Sequence, residues 1–499
     1  MVRYRCNVCQ VFEYDSKRGD SVTGIPPGTE PAEFPEGWKC PICSSDRTHL
    51  ERLEIKKEAV TATEEVTCPV CGATHTIAVS HIGREEIAKY LGKWERHTDD
   101  LEVHMAHIRK ISSTGASIIE PMRTRQPVPS WNEILFLGAQ LARLPLNPDE
   151  SVNTRTVIGS GAALPMVIET PIYVTHMSFG ALSREVKMAL ARGSAANRTA
   201  IGSGEGGILP EEREAAYRYI FEYVPNRYSV TEENLRTADA IEIKVGQSSK
   251  PGMGALLPAE KVTEEIAAIR GFSPGHDIES PARFPDINTP ADLAAKVSWL
   301  REVSGGRPIG IKIAAGHLEA DLAVVVEASP DFVTIDGRPG GTAASPKFVK
   351  DSTSIPTLYA LPRARRFLDE AGADEISLVV TGGLRVSSDV AKALALGADA
   401  VAIGTAALMA CGCQQYRLCD TGTCPVGVTT QTPRLRERLR IDISARQLEH
   451  FLRVSTEELQ TFARLCGHHD VHALSPSDLA TTSTEIARTC GIPHAGQMP

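Results

Sequence analysis

Cysteines at 6, 9, 40 and 43, and again at 413, 419 and 424, are the residues of this chain best placed to do chemistry. Thiolates crowded this closely in a long chain hold metal more readily than disulfides. Cys6/Cys9 and Cys40/Cys43 are two Cys-x-x-Cys knuckles that can close a tetrahedral four-sulfur site. That geometry suits iron or zinc, and spacing alone does not choose between them. Cys413, Cys419 and Cys424 follow directly on a stretch that reads as a phosphate cradle. There two short apolar runs, SLVV before Thr381 and AVAIG at 400–404, each end in glycine, with helical sequence between them. Gly382, Gly383, Gly404 and Thr405 can bring backbone N–H groups close to a phosphate, as the last two strand–helix units of a TIM barrel do. A phosphate-bearing cofactor beside an iron–sulfur cluster implies electron transfer into an organic cofactor.

The elements that must position these residues can be followed along the chain. Short apolar or β-branched runs ending in glycine-rich loops occur at 171–178, 199–207, 219–224, 240–247, 308–316, 332–341, 377–383 and 400–406. Most are separated by helical stretches such as AEKVTEEIAAIRG and PADLAAKVSWLREV. A strand–helix repeat of this kind implies a parallel sheet, and eight repeats imply closure, so the fold class is α/β with a (β/α)8 TIM barrel. Residues 225–239 and 272–290 are longer insertions, expected to act as lids or subunit contacts. Apolar spacings of three and four predict helices over EEIAKYLGKWERHTDDLEVHMAHIRKI and SWNEILFLGAQLARL, the second opened by a Ser130/Glu133 capping box. Residues 432–499 are expected to be helical again, with Cys466 and Cys490 as ordinary buried thiols. The expected divisions are 1–50, a Cys-x-x-Cys module at 51–85, a helical linker at 86–165, the barrel at 166–431 and the helical tail at 432–499.

With 499 residues, 42% of them hydrophobic and 23% charged, the chain is long enough for a large enzyme domain and a smaller one. A net charge of −9 argues against a general nucleic-acid surface. No apolar run is long enough to span a bilayer and no N-terminal signal region is present, so the expected location is cytoplasmic. Cys68 and Cys71 form a third knuckle with His75 and His81 nearby, and the sequence leaves open a metal site, a dithiol or a buried pair. His104 and His107 are expected on the surface of a helix.

The run GTAAL…GC-x5-C-x4-CPVGV-x-TQ resembles the synthase domain of glutamate synthase, and the resemblance extends over roughly residues 150–470. It implies FMN on the phosphate cradle and a 3Fe–4S cluster on Cys413, Cys419 and Cys424. It also implies that Ser178, Phe179 and Gly180 face the flavin ring, that Gly340, Gly341 and Thr342 continue the cofactor side, and that Lys312 stabilises charge on the reduced flavin. The segment Lys244-Val-Gly-Gln247-Ser-Ser-Lys250-Pro-Gly is similar to the family's K-x-x-QGAKPGEGG loop. By that match Lys250 takes a substrate carboxylate, Lys244 the flavin or the second carboxylate, and Gln247 is a supporting donor. Glu205, in SGEGG, matches the glutamate where ammonia meets 2-oxoglutarate. Ser248-Ser249, Met253 and Ala255 depart from the family pattern at this loop. Cys411 is an additional cysteine, expected to be a bystander.

Residues 1–50 resemble rubredoxin through Tyr14-Asp15, Gly19-Asp20, the run Gly24-Ile-Pro-Pro-Gly-Thr29, and Trp38 before CPxC. This implies one iron on Cys6, Cys9, Cys40 and Cys43; Ser44 stands where that family more often has glycine. The expected function is reductive amination of 2-oxoglutarate to glutamate by reduced FMN. Electrons would enter through the rubredoxin iron and the cluster. No N-terminal cysteine nucleophile, closing β-helix or dinucleotide-binding domain is expected from the sequence. Ammonia is therefore expected free or from a separate glutamine amidotransferase. Electrons are expected from ferredoxin, rubredoxin or an NAD(P)H-oxidising partner, in an oligomer. The alternatives are an amine-transfer subunit like methylglutamate synthase and an electron-transfer subunit of a larger redox complex.

Overall fold

Eight parallel strands close into a barrel: β1 (Ile172–Val174), β2 (Ala200–Gly202), β3 (Arg218–Tyr223), β4 (Ala240–Lys244), β5 (Ile309–Ala314), β6 (Phe332–Asp336), β7 (Ser377–Thr381) and β8 (Ala400–Ile403). They are the eight runs expected from the sequence. Their alternate residues face inward, and the inward set changes character along the barrel axis. At the N-terminal end it is apolar: Tyr173, Ile220, Ala240, Phe332 and Val379 form one buried cluster. The antiparallel ribbon Thr156–Ile158/Met166–Ile168 adds Ile158, Met166 and Ile168 to it. Two residues further along the strands the inward set becomes Glu222, Glu242, Lys312 and Thr334, with Asp336 two residues beyond Thr334, all buried. The register sets Glu222 beside Glu242, Lys244 beside Lys312, and Lys312 beside Thr334. The barrel therefore has a dry end that holds it together and a charged end that can do chemistry.

The outward residues, such as Phe221, Ile241, Ile311, Val333 and Leu378, pack in the main core with the surrounding helices. These include α1 (Arg184–Ala196), α2 (Pro290–Val303), α3 (Leu318–Ala328), α4 (Thr357–Glu370), α5 (Ser387–Ala395) and the 26-residue α6 (Ile441–Cys466). Cys466 and Cys490 are buried thiols, 0% and 5% exposed.

The structure describes residues 3–53, 62–67, 74–79, 96 and 98–497, and this computed structural model divides into two units, Met1–Thr114 and Gly115–Pro499. In the first unit, strands Arg3–Cys6, Glu13–Asp15 and Leu50–Leu53 form an antiparallel sheet. Its small core is aromatic: Tyr14, Phe34 and Trp38 pack around Cys6 and Cys40, with Tyr14 edge-on to Phe34 at 4.8 Å. Strands Ala62–Thr67 and Thr74–Val79 pair as a hairpin. Cys68, Cys71, His81 and the side chain of His75 lie outside the described residues, as do residues 85–95 and 97 of the helix expected over 85–111; of its described part, 98–104 is not helical and only Met105–Thr114 forms helix. His104 is exposed and His107 half-buried at the helix Met105–Thr114.

One expected helix is not there. Ser130 and Glu133 do form a capping box, but it caps only the 3-10 turn Trp131–Glu133. The chain then runs as a strand, Ile134–Phe136, antiparallel to Leu479–Thr481, and continues without helix through residues 137–152. Leu141 and Leu144 are exposed there, so their helical spacing served no buried face. The same pairing interrupts the expected C-terminal helix after Pro476–Asp478, and helix resumes at Thr484–Cys490. A partner strand some 345 residues away overrides local helical periodicity in both segments.

Candidate active site

A cavity of about 550 Å³ opens at the C-terminal end of the barrel strands. That volume is in the range that holds a cofactor and a small substrate. Its wall includes Ser178, Glu205, Lys244, Gln247, Lys250 and Lys312. Gly340, Gly341, Thr342, Gly382, Gly383, Gly404 and Thr405 line it as well. Phe179 and Gly180 do not: Phe179 is buried in a side cluster with Leu257 and Ile266, and its carbonyl accepts from Arg270 at 2.8 Å.

The glycines after β7 are required by close packing. Gly382 has φ +104°, and a Cβ there would lie 2.0 Å from the Gly337 carbonyl oxygen. At Gly383, φ +93°, a Cβ would lie 2.5 Å from Pro339. Arg385 follows them on the cavity wall; its backbone N–H donates to Asp389 Oδ2 at 2.8 Å, but its guanidinium makes no hydrogen bond to a carboxylate among the described residues, and Nη1 donates to the Leu384 carbonyl. Burial and the neighbouring Arg123 push its guanidinium down to about 10. Bare backbone beside an uncompensated cation fits a phosphate group.

Across the cavity Lys244 and Glu205 form an ion pair, both about one-tenth exposed. Burial works against the Glu205 carboxylate, but Lys244 more than offsets it and holds the group below its ordinary range. Lys312 stands 3.7 Å from Glu222. Burial disfavours its charge, but Glu222, Glu242 and Asp336 outweigh that and raise its pKa. Lys250 is different. Burial, followed by the charge of Lys244, pushes it down to about 8, and its only hydrogen bond among the described residues is a 3.4 Å contact to the Gly254 carbonyl. Gln247 donates to Ser249 at 3.2 Å.

A smaller hollow of about 20 Å³ adjoins this cavity and is lined by Cys413, Cys419 and Cys424. Cys419, Met122, Leu408 and Thr429 line both spaces. The three thiols do not converge within 4.8 Å of one another as the four at the N-terminus do. Burial raises the thiols of Cys413 and Cys419, so a bound cation would have to stabilise their thiolates. Cys411 does not line the hollow; it is 1% exposed in the main core, and burial pushes it up to about 12.

The conserved region of glutamate synthase matches residues 103–469 of this sequence. The chain belongs to the glutamate synthase family. A glutamate synthase large subunit-like protein of Rhizobium meliloti is 40% identical over 412 residues, 79% of this chain and 93% of that one. The archaeal-type glutamate synthase [NADPH] of Thermotoga maritima is 36% identical over 395 residues, 74% and 78% of the two chains. The archaeal glutamate synthase [NADPH] of Methanocaldococcus jannaschii is 41% identical over 310 residues, 62% and 61%. The chain is thus an oxidoreductase of the glutamate synthase family. No helix among the described residues is long and apolar enough to cross a membrane.

Ahead of the glutamate synthase region, residues 3–50 match rubredoxin. The Sγ atoms of Cys6, Cys9, Cys40 and Cys43 lie within 4.8 Å of one another, with Cys6–Cys43 at 3.6 Å and Cys9–Cys40 at 3.8 Å. A tetrahedron with metal–sulfur bonds of about 2.3 Å has edges of about 3.8 Å, so the four thiols are already spaced for one ion. Gln10 and Ser44, one past each knuckle, take left-handed φ of +58° and +60°. Ser44 thus adopts the conformation that favours glycine, which is the residue the rubredoxin pattern more often has there. So small a core gains much of its stability from the metal. Chelating it under denaturant-free conditions is expected to unfold residues 3–53 while the barrel stays folded, as read by limited proteolysis of the two units.

Several residues of the site went unnoticed in the sequence: His176, Glu222, Glu242, Asp336 and Arg385. The available signal was a charged residue at alternate positions of an apolar strand, in YIFEY, AIEIK and FVTID. An inward charge in a barrel strand is costly unless it is used.

Proposed function

We propose that this chain reductively aminates 2-oxoglutarate to glutamate in the barrel cavity. FMN would be held by Gly382, Gly383, Gly404, Thr405 and Arg385 at its phosphate and by Ser178, Gly340, Gly341, Thr342 and Lys312 around its ring. When bound and reduced, FMN supplies a hydride donor. A 3Fe–4S cluster on Cys413, Cys419 and Cys424 would deliver electrons beside it, and the rubredoxin iron would collect them from a donor protein. The observation that carries this proposal is the convergence of Glu205, Lys244, Gln247, Lys250 and Lys312 on one cavity whose wall also contains Cys419.

The side chains divide the work by charge. Lys250, free of any carboxylate partner in hydrogen-bond reach among the described residues, is the cation available to a substrate carboxylate. Gln247 adds a neutral donor on the same loop. Glu205 is held ionised by Lys244, so its oxygens accept N–H bonds from ammonia and then from the imine nitrogen. Lys312 keeps a positive charge at the cavity floor, where the reduced ring gathers negative charge. The closed floor below, built on Tyr173 and Phe332, keeps water from entering through the barrel.

Anaerobic reduction of the purified protein, followed by 2-oxoglutarate and ammonium, tests the proposal. Flavin reoxidation that requires both reagents and yields glutamate supports it; a flavin that stays reduced overturns it. Met253 and Ala255 line the cavity beside Lys250 and give that wall apolar surface, which favours one second reading, transfer involving an alkylamine. Formation of N-methylglutamate from glutamate and methylamine, with release of ammonia and no net flavin reoxidation, would select it.

Lys250 also sets an expected pH dependence. It is a cation below about 8 and neutral above. At saturating ammonium, kcat/KM for 2-oxoglutarate should therefore hold below pH 8 and fall as pH rises through it, since this ratio reports groups of the unliganded enzyme. Lys250→Met should remove that limb.

A further inference from the structure

His176 follows β1, its side chain is 2% exposed, and none of the roles above uses it. Its Nδ1 accepts a hydrogen bond from the Gly204 backbone N–H at 3.2 Å. Its Nε2 lies 3.1 Å from Glu242 Oε2, while Thr334 donates its hydroxyl to the other Glu242 oxygen. An Nδ1 that accepts must be unprotonated, so the proton sits on Nε2 and faces the carboxylate. The imidazole thus stands beside the Glu242 carboxylate on one side, close but without an aligned hydrogen bond, and holds the β2 loop on the other.

The loop is shaped around the ring. A Cβ on Gly202 would lie 2.4 Å from His176 Nδ1. Gly204 has φ +81°, and a Cβ there would lie 2.4 Å from the Met177 carbonyl carbon and the Ser178 nitrogen. Lys187 fastens the same two loops from behind, donating to the carbonyls of Met177 and Ser203 at 2.6 and 2.8 Å. The residue after Gly204 is Glu205. A metal ion on His176, Glu222 and Glu242, whose ligand atoms lie within 4.8 Å, is the competing use of this cluster. Lys312 already stands 3.7 Å from Glu222, and a second cation there would meet its repulsion.

We propose that His176 is a positioning residue that, oriented by Glu242, holds the Gly204–Glu205 turn so that the Glu205 carboxylate meets the amine substrate. The role rests on the reductive-amination reading of Glu205, but the tether itself does not. Asn at 176 can place an acceptor oxygen where Nδ1 stands; Leu cannot.

The experiment compares His176→Leu and His176→Asn in the full chain. Hydrogen exchange of peptides spanning residues 200–209 should quicken in the Leu variant and return toward wild type in the Asn variant. In the ammonium assay His176→Leu should raise KM for ammonium about 10- to 100-fold, with a smaller change in kcat and in KM for 2-oxoglutarate, the cost of misplacing one group by about an ångström. Asn should recover most of this. Adding His176→Leu to Glu205→Gln should change KM for ammonium no further, because one residue acts through the other. Unchanged exchange in the Leu variant overturns the tether, and additive effects overturn its action through Glu205. A divalent metal beyond the N-terminal site, lost in His176→Asn, also overturns it, because Nε2 would then be a ligand. If the wild-type chain makes no glutamate, the reductive-amination reading fails, and the exchange result still decides the tether.

Discussion

Replacing Lys187 by Met should lower the stability of the barrel unit by about 3–5 kcal/mol, the usual cost of breaking a buried pair by removing one partner. Lys187 is 1% exposed on α1, and its Nζ lies 2.7 Å from Glu212 Oε1, which is 0% exposed. The same ammonium satisfies the Met177 and Ser203 carbonyls. The Met variant keeps the length of the side chain and abandons all three acceptors. Tyr219 still donates to Glu212, at 3.3 Å, but a single neutral bond does not replace the charge. Burial pushes the Glu212 carboxyl up to about 7 even with Lys187 and Tyr219 acting against it. Without Lys187 it should retain its proton to higher pH still. A raised carboxyl is neutral in the fold where the unfolded chain has already ionised, so folding weakens as pH rises from the unfolded value through the folded one. The variant should therefore lose least at pH 5 and progressively more toward pH 8. Urea unfolding of the barrel followed by circular dichroism at both pH values measures this, and equal midpoints for variant and wild type would refute it.

Lys312→Met should reduce glutamate formation by about 10²–10³-fold, the scale on which removing one preorganised charge-stabilising group acts. The lysine is 5% exposed, set by the strand register between Lys244 and Thr334. It faces Glu222, Glu242 and Asp336, three carboxyl groups that share its charge. Met fills the space without the ammonium, so the barrel floor loses a cation and becomes more acidic. Negative charge on a reduced ring above that floor becomes harder to hold, and the reduction midpoint of bound FMN should become more negative. Iron bound at the N-terminal cysteines should not change. A variant that keeps its thermal midpoint and flavin content but loses rate and potential together isolates the electrostatic effect. Wild-type rate with an unchanged potential would remove Lys312 from the proposed role.

How much of this was legible in the chain follows from where each signal resides. The barrel strands were readable because they are short apolar runs, most of them closed by glycine and followed by helical sequence, a pattern that local sequence carries. The four-thiol site was readable because both knuckles and the intervening GIPPGT run lie within 50 residues. The glycines proposed to cradle a phosphate were readable as a Gly-Gly pair closing an apolar run, and the fold requires glycine at both Gly382 and Gly383, where a Cβ would clash.

What tertiary structure alone decided is which charges meet. Nothing in the spacing of Lys244 and Glu205 says that they pair, or that Lys250 is left without a carboxylate partner among the described residues; strand register and loop approach determine both. His176, Glu242 and Gly204 belong to three separate strands and the loops after them, and converge only because the barrel closes. Ile134–Phe136 became a strand because Leu479–Thr481 lay beside it, a partner that no window of local sequence contains. Local sequence encodes periodicity and turn chemistry, which act over a few residues. The energies that place a buried charge depend on neighbours hundreds of residues away, and only the closed fold brings them within reach.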